Sequence, residues 1–287
     1  MTKNKKTILV TGASGMLGLK LYHVLREKGF NVIKNKFDIS SAKAVEEFSE
    51  KLKRLDCIIH CAAATDVNKC ELEKKLCFSV NVTGTKNIVD MAQHFGANLI
   101  YISTPMVFSG TEGDYKETSR PKPLNYYAKT KLLGEKEVLK YKNSLVLRAN
   151  PIGVRPPGAH PSFIQWFVDA ARNNKSFTLF TDIRVNPIST TTFSDIISKL
   201  INDFKRGVLH LGSADVVNKA EIWDLILSRF SKFSGVVKKA SVDKTETNKI
   251  AKRPKEMWLN VQKAVTLGYE MPSWKAEVAR VLNEIIK

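Results

Sequence analysis

Residues 8–18 read ILVTGASGMLG, an apolar, β-branched run that breaks into three glycines, Gly12, Gly15 and Gly18, spaced three apart and leading straight into a helical pattern. A buried strand that ends in a glycine turn opening a helix gathers free backbone N–H groups and the positive end of a helix dipole at one point, which suits a pyrophosphate. Each glycine has its own task in such a turn. Gly12 turns the chain, Gly15 lets backbone approach the phosphates, and Gly18 lets the helix pack closely. The spacing is TGxxGxxG, not the commoner GxGxxG, and a bare structural turn would read the same way. The strand before it and the helix after it favour the nucleotide reading.

Outward from this stretch, Leu17, Leu21, Val24 and Leu25 form a helical stripe that Gly29 closes. A strand is expected at 31–34, an amphipathic helix at 40–52 capped by Ser40 or Ser41, and a fully buried strand at 56–64, DCIIHCAAA. Residues 71–95 read as mostly helical, 98–103 (NLIYIS) as a strand, 126–141 as a helix and 144–148 as a strand. Apolar strands alternating with helices pair in parallel with helices on both faces. The expected class is therefore α/β, a Rossmann-type doubly wound parallel sheet. The loop at 104–125 is too long for a mere connector and is a candidate functional loop.

Beyond residue 149 the alternation loosens into NPIGVRPPGAHP (150–161), followed by an aromatic-bearing helix at 162–173. A helix at 192–205 and a strand at 207–212 return to the sheet, while helices at 219–230 and 273–286 belong to a smaller C-terminal lobe. The expected organisation is a dinucleotide-binding domain of 1–149 with 188–213, and a substrate-binding lobe of 150–187 with 214–287.

A chain of 287 residues, 43% hydrophobic, buries a sizeable core. No run approaches the roughly 18 apolar residues of a membrane span, and MTKNKK is followed only by a strand-length apolar run, so neither membrane nor targeting segment is expected. A cytoplasmic protein is the expectation. The formal charge of +18 comes from lysines spread along the chain, without the basic runs and interleaved aromatics of a nucleic-acid surface. It suits phosphorylated ligands, or a solvated lysine-rich surface. Cys57, Cys61, Cys70 and Cys77 form no CxxC pair. They are expected to be reduced, with no metal site.

Tyr127 and Lys131, four apart on the expected helix, project from one face. Ser103 and Thr104 end a parallel strand, and open α/β sheets bind ligands past the carboxyl ends of their strands. An ammonium one turn away from a phenol is expected to lower its pKa, and a neighbouring hydroxyl can hold a carbonyl oxygen. Together these make a proton donor for a carbonyl reduced by hydride. Tyr126 has Thr130 four residues on and lacks the lysine.

TGASGMLG (11–18), AAATDVNKCE (62–71), NVTGT (81–85), YISTPMVFSG (101–110) and PLNYYAKTKLLGE (123–135) resemble, in order and spacing, the extended short-chain dehydrogenase/reductase superfamily. VNPISTTTFSDI (185–196) and AKRPKEMWLN (251–260) extend the likeness, within that superfamily, to the dTDP-4-dehydrorhamnose reductase family. The resemblance covers nearly the whole chain. It implies that Thr104, Tyr127 and Lys131 are the catalytic residues of a nucleotide-sugar 4-ketoreductase: Tyr127 donates the proton, Thr104 binds the carbonyl, and Lys131 holds the nicotinamide ribose.

Where the family usually reads STDYVFDG this chain has Pro105, Met106 and Ser109, which puts the particular sugar in question. Related dehydratases carry an Asp-Glu pair after the threonine. Pro105 and Met106 can act as neither acid nor base.

The expected cofactor is NADPH, with NADH as the alternative: Lys34 and Lys36 can meet a 2′-phosphate, while Asp38 and Ile39 border the adenine. The other expected cofactor residues are Gly12, Ser14, Gly15, Met16, Leu17, Cys61, Ala62, Ala63 and Ala64, with Tyr127 and Lys131. The expected substrate residues are Thr65, Met106, Val107, Asn150, Phe163 and Arg253. Trp166 reads as a core residue or a base contact.

The expected partner is a nucleotide-diphosphate sugar, with neither nucleic acid nor membrane, and a homodimer is one assembly to expect. Two other readings stay open. One is an NADP-binding regulatory subunit resembling the methionine adenosyltransferase β subunit, the other a nucleotide-sugar epimerase.

Overall fold

The computed structural model describes residues 5–34, 37–230, 232–244 and 250–286. The first half runs β1 (Thr7–Thr11), α1 (Met16–Glu27), β2 (Asn31–Lys34), α2 (Ala42–Ser49), β3 (Cys57–His60), α3 (Val67–Leu72), α4 (Lys74–Phe78), a π-helical turn (Ser79–Thr83), α5 (Gly84–Phe95), β4 (Asn98–Ser103), α6 (Tyr126–Leu139) and β5 (Ser144–Ala149). The second runs β6 (Pro151–Ile152), α7 (Phe163–Arg172), β7 (Phe177–Phe180), β8 (Arg184–Val185), β9 (Ile188–Ser189), α8 (Thr190–Asn202), β10 (Gly207–Leu211), β11 (Val217–Asn218), α9 (Lys219–Leu227), β12 (Val237–Ala240), β13 (Glu256–Met257), α10 (Gln262–Thr266) and α11 (Trp274–Ile285).

Six strands form one sheet in the order β10-β5-β4-β3-β1-β2, and every pair is parallel. Successive residues of β1 bury on opposite faces: Ile8 and Val10 join Leu21, Phe193 and Leu200 on one side, while Leu9 joins Ile88, Tyr101 and Val138 on the other. A sheet buried on both faces needs apolar strands throughout, as the sequence provides. The strand order reverses at β1, so the crevice between the carboxyl ends of β1 and β3 is the topological switch point.

The lobe gathers α7, α9 and α11 around Phe167, Trp223, Ile226 and Val281. The strands β6, β8, β9, β11 and β13 have two residues each, too short for a periodic signal. Residues 261–271, expected with the lobe, instead pack Ala264, Tyr269 and Met271 into the sheet's own core.

Two further expectations are corrected. The segment 71–95 is not one helix: α3 and α4 are short, and the π-helical turn precedes α5. Cys70 and Cys77, expected as thiols, are paired as a disulfide across these two helices with Cα atoms 5.1 Å apart. The kink that ends α3 brings them within the reach of a disulfide. Cys57 and Cys61 are free.

Candidate active site

A cleft of about 800 Å³ lies over the switch point. Its floor is the glycine turn. Gly12 has φ +66°, and a Cβ there would meet Ala62 N at 2.7 Å, so any side chain would collide with the strand across the crevice. A Cβ on Gly18 would lie 2.3 Å from Gly12 O. α1 therefore sits against the turn itself.

The N-cap of α1 is Gly15, with no side-chain cap and no acid in the first turn. The free N–H groups at this helix start face the cleft that Gly12, Ser14, Gly15, Met16 and Leu17 line. This uncapped cradle fits a dinucleotide pyrophosphate.

A buried relay fixes the turn. Ala62 N–H donates to Thr11 Oγ1 at 3.2 Å, Thr11 Oγ1 lies 2.7 Å from His60 Nδ1, His60 Nε2 lies 3.1 Å from Thr85 Oγ1, and Thr85 donates to Asn81 O at 2.8 Å. A neutral His60 protonated at Nε2 satisfies every atom of the series. Burial, reinforced by the charge of Lys131, pushes His60 down to about 3 and keeps it neutral. Asn81 sits in the π-helical turn, accepts from Ala64 N and donates to Ala64 O and Thr130 Oγ1. The irregular turn thereby binds the chain leaving β3 to the tyrosine-bearing helix.

α6 begins at Asn125, whose Oδ1 accepts from Ala128 N, and buries Tyr127, Thr130, Lys131, Gly134, Glu135 and Val138. A Cβ on Gly134 would approach Tyr101 Oη to 2.5 Å and Asn81 O to 2.9 Å, so glycine is what lets this helix seat. Thr104 and Tyr127 line the same cleft, with Thr104 close enough to act on the Tyr127 phenol. Thr104 Oγ1 accepts from Met106 N at 3.2 Å, capping the 3₁₀ turn Pro105–Val107.

Lys131, 3% exposed, donates to Ile102 O at 2.7 Å and lies 4.0 Å from the centre of the Tyr101 ring. Burial lowers its pKa to about 7 against the opposing pull of Glu135. The lowered phenol expected at Tyr127 is not found. Burial pushes it up to about 12, with Thr104 opposing, while the ammonium is engaged with Ile102 O and the Tyr101 ring. A phenol held protonated is equipped to give a proton.

Asp38, Ile39, Cys61, Ala62, Ala63, Thr65, Thr104, Tyr127, Lys131 and Asn150 also line the cleft. Asp38 is occupied with Ser40, accepting from its N at 2.9 Å and its Oγ at 2.8 Å. Other expected residues lie elsewhere. Lys34 stacks over the Tyr22 ring at 3.8 Å, and Lys36 is outside the described residues. Ala64 faces a side recess beside the disulfide. Val107 is fully buried with Phe108 and Leu259, because the 3₁₀ turn directs it inward. Met106 packs between the Tyr127 cluster and the lobe. Phe163 lines a second recess in the lobe, and Arg253 Nη2 donates to Asn68 Oδ1.

Phe37, Arg155 and Pro156 line the cleft without having been singled out in the sequence. The proline-rich run at 150–161 is the only sequence signal for Arg155 and Pro156. Also missed was the buried pair of Glu135 with Arg148, joined at 2.9 and 2.6 Å and tied to Ser103 and His210. Among the described residues there is no cluster of side chains that could hold a metal ion and no helix long and apolar enough to cross a membrane.

The switch-point cleft, the glycine turn and the Thr104–Tyr127–Lys131 constellation define a protein of the extended short-chain dehydrogenase/reductase class. Within it, the family described as RmlD substrate binding domain matches residues 6–286, and the chain belongs to that family. It is similar to the probable low-salt glycan biosynthesis reductase Agl14 of Haloferax volcanii, 26% identical over 288 residues, 94% of this chain and 95% of that protein. It is also similar to methionine adenosyltransferase 2 subunit beta of Rattus norvegicus, 28% identical over 281 residues, 92% of this chain and 83% of the other. The crystal structure of dTDP-4-dehydrorhamnose reductase from Bacillus anthracis in complex with NADP superposes with a TM-score of 0.90 at 26% identity, covering 98% of this chain and all of that one.

Proposed function

We propose that the protein is an NADPH-dependent reductase of a nucleotide-linked 4-keto sugar, with residues 1–149 and 188–213 as the dinucleotide-binding unit. The observation that carries this reading is Thr104 and Tyr127, with Lys131 one helical turn on, lining a single cleft with an uncapped helix start. The Bacillus anthracis relative, a dTDP-4-dehydrorhamnose reductase in complex with NADP, supports it.

The hydride to the carbonyl carbon would come from bound NADPH. Thr104, whose oxygen already accepts from Met106 N, directs its O–H to the carbonyl oxygen. Tyr127, held protonated by burial, donates its proton as that oxygen gains charge. Lys131, with one donor on Ile102 O, turns its others to the cofactor ribose. The first turn of α1 holds the pyrophosphate, and Asp38 and Ile39 border the adenine.

The test is NADPH oxidation with a panel of nucleotide 4-keto sugars. Tyr127→Phe should lower kcat about a hundredfold or more. NADPH binding without reduction of any sugar would overturn the reading in favour of a regulatory subunit, to which the methionine adenosyltransferase relative points.

A further inference from the structure

The Cys70–Cys77 disulfide lies against the reaction site. Both cysteines are buried in one apolar cluster with Tyr127, which Ala64, Met106 and Tyr126 adjoin. Cys77 Sγ lies 3.3 Å from Thr130 Oγ1, and Asn81 Nδ2 donates to it at 3.4 Å. Thr130 in turn donates to Tyr127 O at 2.8 Å. Cys77 therefore touches the two groups that tie the chain leaving β3 to the tyrosine-bearing helix. Asn81 O also takes the last bond of the His60 relay beneath the glycine turn.

The same bond fixes α3. That helix ends at Glu73, whose φ −112° and ψ 59° lie outside the helical region, and α4 starts at the next residue. Outward, α3 carries two fasteners: Glu71 Oε2 accepts from Tyr126 N at 2.9 Å, in the first turn of α6, and Asn68 Oδ1 accepts from Arg253 Nη2 at 2.8 Å. The helix is a short bracket between the start of α6 and the C-terminal part of the chain. With a sequence separation of only seven, the disulfide gains less from restricting the unfolded chain than a long loop would. What it restricts is the angle at Glu73.

A small molecule can reach the sulfurs. Both cysteines line a recess of about 360 Å³ whose rim carries the exposed Lys69, Glu73 and Leu76, and Ala63, Thr65 and Val80 line both this recess and the reaction cleft. We propose that the disulfide is a redox latch on the active site. Intact, it holds α3 and the Tyr127 end of α6 in their reactive arrangement; reduced by a small dithiol, it lets them part. A thiolate of the dithiol attacks one sulfur, the S–S bond breaks, and the other sulfur leaves as a thiolate that takes up a proton. The second thiol then displaces the mixed disulfide. The reagent departs oxidised, and the protein has gained two electrons and two protons as a pair of thiols. Unbonded sulfurs need roughly 1.5 Å more separation than a bonded pair, and in a cluster packed by Tyr127, Thr130 and Asn81 that room is found by opening the kink at Glu73. The effect on turnover rests on the reading of Tyr127 as proton donor; the movement of α3 does not.

The test takes the full-length wild type and its Cys70→Ala and Cys77→Ala variants, each oxidised and after incubation, folded, with about 10 mM dithiothreitol. Unfolded in an alkylating reagent and weighed, the oxidised wild type should carry two labels, on Cys57 and Cys61, and the reduced protein four. Amide exchange over residues 67–78 and 126–131 should quicken about tenfold on reduction while β1 and β5 stay protected. Turnover of the 4-keto sugar should fall about ten- to a hundredfold and return on reoxidation. Neither variant should respond to dithiothreitol. Four labels on the oxidised wild type, a bond that dithiothreitol leaves intact in the folded protein, variants that respond as the wild type does, or exchange or turnover equal in both states overturns the latch. If no sugar is reduced at all, the reductase reading falls and exchange alone decides the latch.

Discussion

Lys131 is held where a lysine least prefers to be charged, and the cost has a sign that titration can read. Its folded pKa of about 7 lies below the ordinary 10.5, so between these values the unfolded chain holds a proton that the folded one lacks. Stability then rises with pH across that window, by up to about 1.4 kcal/mol per unit, and the slope vanishes below it. His60 and His210, pushed down to about 3, act only below their ordinary 6.5. Cys57, Cys61 and Tyr127, pushed up to about 12, oppose the trend only above 9.0 for the thiols and 10.0 for the phenol. Across pH 7 to 9 Lys131 therefore contributes a rising slope, beside that of Lys219, whose pKa burial also lowers. Urea midpoints measured across it should climb in the wild type and climb less in Lys131→Met; equal slopes would remove the lysine from this account. Tyr127 and Lys131 were legible because four-residue spacing puts them on one helical face. Where the ammonium points was not, since Ile102 O and the Tyr101 ring meet it only once β4 and α6 are side by side.

At the scale of elements, α6 is fastened to the sheet from beneath by an ion pair. Glu135, one turn beyond Lys131, takes Arg148 of β5 in a two-pronged grip and Ser103 of β4 at 2.5 Å, and all three are buried. Arg148→Met alone strands a buried carboxylate and should cost about 3–5 kcal/mol in urea unfolding. Combining it with Glu135→Leu should cost clearly less than the two single changes summed. Additive losses would show that the pair acts as two independent groups. No spacing rule joins residues 135 and 148, which meet only because α6 packs against β5. The glycine turn, β4 and α6 could be read because each carries its period locally. The π-helical turn could not, because its reason is Asn81 reaching both Ala64 and Thr130. The two-residue strands carry no period at all.

For the whole molecule, a charge of +18 surrounds a cleft read as taking two phosphorylated ligands. Such a field raises the encounter rate with anions and fades as salt screens it beyond about 8–10 Å. Raising ionic strength from about 0.02 to 0.5 M should lower kcat/KM for the nucleotide sugar severalfold with little change in kcat. A kcat/KM indifferent to salt would mean that the lysines are only solvated surface. The chain's route has one more consequence. It leaves the sheet after β5, returns for α8 and β10, departs through α9, comes back with residues 261–271 to fill the sheet's core, and ends on α11 among the lobe's side chains. The two bodies are thus stitched together by repeated crossings rather than hung on one linker. No single cut frees either as a separable piece, and any opening over a ligand is confined to a shallow rotation in which every crossing bends at once.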